Sequence, residues 1–174
     1  MVVTKPTRSR AKGDRAAEPA FRSLIRTLGL LKRVMEPYFA KHGISGSQWA
    51  VLRNLNRAEE EGISGLRPGE LSDRLLVRPP SVTGVIDRLQ RMRLVTRQAS
   101  DSDQRAKVVG LTDPGRRLVA RVREGHAERV QDVLAGLSAA ERRELDRLLT
   151  RLGDHLEELA NHHSTETSAA SEET

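Results

Sequence analysis

The 174-residue chain contains no cysteine. That excludes disulfides, thiolate metal sites, iron–sulfur clusters, a cysteine nucleophile and thiol-based redox sensing. Aromatic residues are scarce: Phe21, Tyr38, Phe39 and Trp49 are the full set. Four rings are too few for a large aromatic core or for a row of platforms that stack unpaired bases. No run approaches the roughly 18 apolar residues that a membrane span needs. The opening residues lack the apolar segment of a secretory leader. The expectation is a cytoplasmic protein that does not enter a membrane. Catalytic signatures are missing too: there is no phosphate-binding glycine loop, no nucleophile elbow and no paired-histidine zinc helix. Of the five histidines, only His162 and His163 are neighbours. With Glu158 they make a weak metal pair at most, and neither a metal nor a cofactor is expected.

What the chain has in quantity is positive charge. It holds 30 basic against 24 acidic residues, a net of +6. Residues 153–174 contain no Lys or Arg and six acids, so residues 1–152 carry +12. This asymmetry suits a body that binds a polyanion and ends in an acidic segment. A high Arg-to-Lys ratio, 25 to 5, is also what a biased base composition would produce. Charge alone therefore leaves nucleic acid as one option.

Periodicity divides the chain. Residues 1–19 are polar, basic and aperiodic, and read as a disordered arm; residues 161–174 are low in complexity and read as a disordered acidic tail. Between them, Phe21, Leu24, Ile25, Leu28, Leu31, Met35, Tyr38 and Phe39 recur at helical spacing, with Pro37 placed to kink or end the helix late. Ser45 and Gln48 have capping-box spacing at the head of a second helix. A short third helix is expected over 68–76, with Leu71, Leu75 and Leu76 inward, and a fourth over about 80–92. The period then changes. Residues 94–98 and 108–112 have β character and flank a turn at 101–106. A long helix follows from 113, and a last one from the Ser138–Glu141 capping box carries a leucine stripe from Leu145 to Leu159.

Two short helices across a tight break, then a hairpin, form the order of a winged helix-turn-helix. Its second helix can place N-terminal residues at base edges in a major groove, and its free N–H groups favour phosphate. The expected fold class is therefore mainly α with a small β-hairpin wing. The segment Pro80-Ser-Val-Thr-Gly-Val-Ile-Asp-Arg-Leu-Gln-Arg-Met-Arg-Leu-Val95 resembles the recognition helix of the MarR family of transcriptional regulators. Asp103-Gln-Arg105, followed six residues later by Leu111-Thr-Asp-Pro-Gly115, resembles that family's wing and the motif after it. With Gln48-Trp-Ala-Val-Leu52, the likeness spans about residues 20–160. It implies a MarR-type domain over 20–160, with a DNA-binding lobe at about 45–112. It further implies N- and C-terminal dimerisation helices at about 20–42 and 113–160. One position departs: Arg93 stands where many relatives have glycine.

The resemblance implies a homodimeric regulator of a pseudo-palindromic operator in double-stranded DNA, in the first instance a repressor. Ser81, Thr83 and Gly84 on the first turns of the fourth helix are the candidates for base edges, with N-terminal capping as the alternative for Ser81. Arg78 and Arg88 are candidate phosphate clamps, against a solvated or ion-paired face. Arg105 is the candidate minor-groove finger, oriented by Asp103, against a surface ion pair; Arg97 and Lys107 flank it within reach of phosphates. Many family members release DNA when a small, often anionic aromatic compound binds between the dimer helices and the DNA-binding lobe. Tyr38, Phe39, Trp49 and Arg53 could line such a pocket, and core packing is the alternative for Phe39 and Trp49. Two other readings remain at this stage: a winged-helix module for protein contacts, and an enzyme acting on a small molecule.

The wing assignment makes a direct prediction. Arg105→Ala should weaken operator binding by roughly 1–3 kcal/mol per subunit, the size of one good specific contact, and leave folding unchanged. Affinities at one fixed salt concentration check it; full-strength binding by the folded variant would remove the wing from the reading surface.

Overall fold

The computed structural model describes residues 16–99 and 107–171. Its elements run α1 (Ala17–Ala40), α2 (Gly46–Glu60), α3 (Pro68–Leu75), α4 (Pro79–Arg91), β1 (Val95–Ala99), β2 (Lys107–Leu111), α5 (Asp113–Val133) and α6 (Ala139–Ser171). The expected class, mainly helical with one small hairpin, is the observed one. Pro37 lies inside α1, which continues three residues past it to Ala40. The last turns of α6 occupy residues 161–171, the segment whose composition reads as a tail.

The chain divides into two compact units, one reaching Gly125 and the other starting at His126, so the division falls within α5. The first unit holds the core. Leu52 and Leu55 of α2, Leu71 of α3, Ile86 and Leu89 of α4, Val109 of β2 and Val119 and Val122 of α5 are fully enclosed. These are the positions at which each helix repeats its apolar stripe, so burial follows the period. Arg116 and Arg123 of α5 reach Glu59 and Glu60 at the end of α2, each at 2.6 Å. The Arg123 hydrogen bond, with one from Asn56, holds the Glu60 carboxyl below the usual carboxylate range.

β1 and β2 pair antiparallel, with Val95 opposite Leu111 and Ala99 opposite Lys107. A third segment joins them: Leu66 and Val109 exchange backbone hydrogen bonds of 3.0 and 2.8 Å. Glycine permits this close approach, since a Cβ at Gly65 would lie 2.8 Å from the Val109 carbonyl oxygen. At the base of the hairpin, the Thr112 hydroxyl donates to the Arg93 carbonyl at 2.7 Å and accepts from the Gly115 N–H at 3.1 Å. Thr112 thus caps α5 and ties it to the exit of α4. Gly115 passes so near that a Cβ there would sit 2.1 Å from the Leu94 carbonyl oxygen. The Leu-Thr-x-x-Gly pattern is a junction between three elements.

In the core, α3 departs from its apolar period at one residue. Leu76, expected inward, is 81% exposed. It adopts a left-handed φ of 53°, and the Val77 N–H closes back on the Ser72 carbonyl at 3.1 Å. A left-handed residue after the last turn swings its side chain off the apolar face that Leu71 occupies.

In the second unit, Ser138 and Glu141 exchange the hydrogen bonds of a capping box at 2.8 and 3.3 Å. Arg142 donates to the Leu134 and Leu137 carbonyls, at 3.1 and 3.0 Å, so the chain reverses between α5 and α6 with its carbonyls satisfied.

Gly115→Ala should cost at least about 2 kcal/mol, towards the upper end of overpacking penalties, because the obstacle is backbone. Urea unfolding at fixed protein concentration reads this as a lower midpoint with an unchanged slope.

Candidate nucleic-acid interface

α4 buries Val82, Val85, Ile86 and Leu89, a stripe at helical spacing. The opposite face is therefore turned outward. Ser81, Thr83 and Arg88 are exposed and Gly84 is half-buried. A Cβ at Gly84 would meet nothing within 4 Å, so glycine there leaves room for an incoming group rather than for a packed neighbour. Arg78 is the N-cap residue and makes no side-chain capping bond. Ser81 lies inside the first turn instead of capping it, and its N–H donates to the Arg78 carbonyl at 3.0 Å. Thr83 donates its hydroxyl to the Pro79 carbonyl at 3.1 Å, which leaves its lone pairs outward.

The helix N-terminus is poorer in donors than the sequence reading assumed. Pro79 and Pro80 fill the first two positions and have no N–H, and the Ser81 N–H is already bonded. The prolines fix the entry of the helix and leave anion attraction to side chains. Arg78, Arg88, Arg91 and Arg93, all exposed, supply it.

The exit of α4 resolves the departure at Arg93. This residue has a left-handed φ of 58°. Its N–H donates to the Gln90 carbonyl at 2.9 Å, and the Leu94 N–H donates to the Leu89 carbonyl at 3.0 Å. That pair of bonds is a Schellman closure, which usually employs glycine at the left-handed residue. Arg93 therefore adopts the geometry of the glycine it replaces, and the wing follows from the same turn.

β1 starts at Val95, and Thr96 to Ala99 are exposed. Arg97 does not stand alone among the flanking cations: its guanidinium meets Asp87 at 2.6 Å and Gln90 at 2.8 Å, both on α4. The sequence reading gave Arg97 to phosphates and gave Asp87 and Gln90 no role. The available signal was a single acid on an otherwise basic helix, ten residues before an arginine. Lys107 is exposed at the first position of β2, opposite Ala99. Asp103 and Arg105 lie outside the described residues.

The four residues suggested for a ligand are not gathered. A cavity of about 810 Å³ lies between α1, the start of α2, the α3–α4 turn and α4, and of the four only Phe39 lines it. Tyr38 donates its hydroxyl to the Val122 carbonyl of α5, and burial raises its pKa. Trp49 is buried and stacks on Phe39 at 6.0 Å between ring centroids. Arg53 is exposed. The helical period puts Tyr38 and Trp49 on interior faces, and α5 and Phe39 occupy those faces. Lys32 and Glu36 of α1 are the charged groups at the cavity, with Ser81, Val82 and Val85 forming its α4 wall.

A model of the MarR family matches residues 42–106, from just after α1 to the residue before β2. The chain belongs to the MarR family. An uncharacterised helix-turn-helix transcriptional regulator of Bacillus subtilis, YkoM, is 30% identical over 119 residues, covering 68% of this chain and 74% of that protein. The transcriptional repressor YetL of the same organism is 29% identical over 158 residues, 91% of each chain. A mutant MarR from E. coli, solved in complex with operator DNA, superposes with a TM-score of 0.70 at 25% identity, over 80% of this chain and 98% of that one. Among the described residues, no helix is long and apolar enough to cross a membrane.

Membership gives the Arg93 substitution a measurable cost. Arg93→Gly relieves a non-glycine residue of its left-handed φ and should raise stability by roughly 0.5–1 kcal/mol, the left-handed penalty less the entropy of glycine. The same variant should bind DNA more weakly. Thermal melts and operator titrations of one preparation check both signs.

Proposed function

We propose that the chain is a sequence-specific transcriptional regulator that binds a pseudo-palindromic operator in double-stranded DNA as a homodimer and represses from it. The observation that carries this reading is the outward face of α4. Small groups at Ser81, Thr83 and Gly84 allow approach to base edges, with Arg78 and Arg88 at its two ends for phosphates and the hairpin beside it. Arg105, with Asp103, is assigned to the minor groove on the motif that they share with the family. Lys107 is assigned to a neighbouring phosphate.

Two apolar faces support the dimer. On α1, Phe21, Ile25 and Leu28 are each more than half exposed. On α6, Leu148, Leu149, Leu152 and Leu156 remain open to solvent. Stripes of this size are the mark of an interface rather than of a solvated helix. The relatives are named transcriptional regulators and repressors, which supports a regulator rather than an enzyme.

The cavity bounded by α1 and α4 is the place for a small effector. Its walls are mostly apolar, and of its two charged groups Glu36 already accepts from the Gly46 N–H at 3.3 Å, which leaves Lys32 as the cation for a ligand at a site of drug-like volume. An apolar acid fits that chemistry. Binding there would act on α4 through Val82 and Val85.

Sequences selected from a random duplex pool should contain two half-sites about one helical turn apart. Affinity for the selected operator should fall steeply with salt, with a logarithmic slope of about −0.9 for each phosphate contact. A flat salt response, or equal affinity for a single half-site, would contradict the proposal and favour a protein-contact module.

A further inference from the structure

β2 is buried from Val108 to Leu111, whereas β1 contributes little to the core. Val95 is buried, while the next four residues are exposed. The core and the Leu66 bridge therefore anchor β2, and side-chain ties hold the outer part of β1 against α4. Gln98 reaches the Ser64 carbonyl only at 3.5 Å. Arg97 is placed far better. Its two terminal nitrogens meet Asp87 Oδ1 at 2.6 Å and Gln90 Oε1 at 2.8 Å, acceptors three residues apart on α4. A planar fork that engages two fixed acceptors sets an orientation as well as a distance, which a flexible ammonium cannot do. The backbone of Arg97 is meanwhile held in the ladder opposite Val109.

We propose that Arg97 is a positioning residue for operator recognition, locking the wing to α4 through Asp87 and Gln90 so that both meet DNA as one rigid reader. This rests on the DNA-binding reading above. The proposal withdraws Arg97 from the phosphate contacts and gives Asp87 a purpose. Asp87 is the one acid on a helix whose neighbours include Arg88, Arg91 and Arg93. Unpaired, it would repel phosphate; paired with Arg97, its charge is offset and its Oδ1 is occupied. With side chains 33% and 48% exposed, the pair adds little to global stability. Its effect is to spare the complex the ordering of a loose wing.

The full-length protein, Arg97→Gln, Asp87→Ala, the double variant and Arg97→Lys would be titrated with the selected operator over a salt series. Asp87→Ala should weaken binding by about tenfold, the scale of re-ordering a few side chains on association, although it removes a negative charge from the DNA side. Arg97→Gln should lose a similar factor, the double variant no more than either single, and Arg97→Lys should recover part. Salt slopes should match the parent. The proposal is overturned if Arg97→Gln shallows the slope by about 0.9 while Asp87→Ala binds as well as the parent or better, since Arg97 is then a phosphate contact. Amide hydrogen exchange of the free protein gives a readout that needs no DNA: both single variants should speed exchange in β1 and β2 and spare the buried turns of α4. Unchanged exchange in the wing would overturn the clamp by itself. Failure of the parent to bind any duplex would overturn the DNA-binding reading, while the exchange data still decide whether the clamp exists.

Discussion

The junction where α4 ends and α5 begins governs the placement of both elements that would face DNA. Three chain segments meet within hydrogen-bond distance there. The Arg93 carbonyl takes the Thr112 hydroxyl, the Leu94 carbonyl takes the Thr112 N–H at 3.1 Å, and Gly115 lies against Leu94 with no space for a side chain. These bonds close the base of the hairpin, because Val95 and Leu111 are the first facing pair of its ladder. They also fix the start of α5, because the same Thr112 oxygen caps it. A shift at this point would tilt the wing, rotate α4 and move α5 together. The short β-strands have almost no sheet to stabilise them, so this closure, the Leu66 bridge and the Arg97 fork together define where they point.

Much of this architecture was legible because the signals are local and physical. Ser45 with Gln48, and Ser138 with Glu141, announce helix starts through reciprocal hydrogen bonds, and both boxes form. The apolar period of α4 marks its inward face, so its outward residues follow by subtraction. What escaped the sequence are relations between segments. Leu76 belongs to the apolar pattern of α3, yet a left-handed turn expels it. Tyr38 and Trp49 suit a pocket by residue type, but tertiary packing gives Tyr38 to the Val122 carbonyl and Trp49 to the Phe39 ring. Arg97 reads as a spare cation on the wing, because the lone acid of α4 ten residues earlier hints at a partner without showing that Asp87 and Gln90 both face it. The site's residue types could be read, and their partnerships could not.

The apolar faces of α1 and α6 set a further condition. Each leaves large side chains open to solvent within its own unit. A chain with so few aromatics and 37% hydrophobic residues has little reserve with which to compensate for that exposure. Stability of the dimeric regulator should then be tied to association, and any measured melting point belongs to a stated concentration. The small core of the first unit is organised for a different end: it fixes the back of α4, leaving the front for recognition.

That division suggests how a ligand could control binding. The cavity wall includes Val82 and Val85, on the buried side of the helix whose outward side carries Thr83 and Arg88. A ligand alters DNA affinity only if it binds one placement of α4 better than another. The left-handed Leu76 ends α3, the extended Arg78 opens α4 and the left-handed Arg93 closes it, so α4 is not continued into its neighbours. Such a helix responds to pressure on its inner face by moving as a body rather than by bending. With Arg97 fastened to Asp87 and Gln90, the wing would move with it. The clamp then has two consequences of opposite sign: it strengthens the complex when α4 is well placed, and it carries the wing out of register when α4 is displaced.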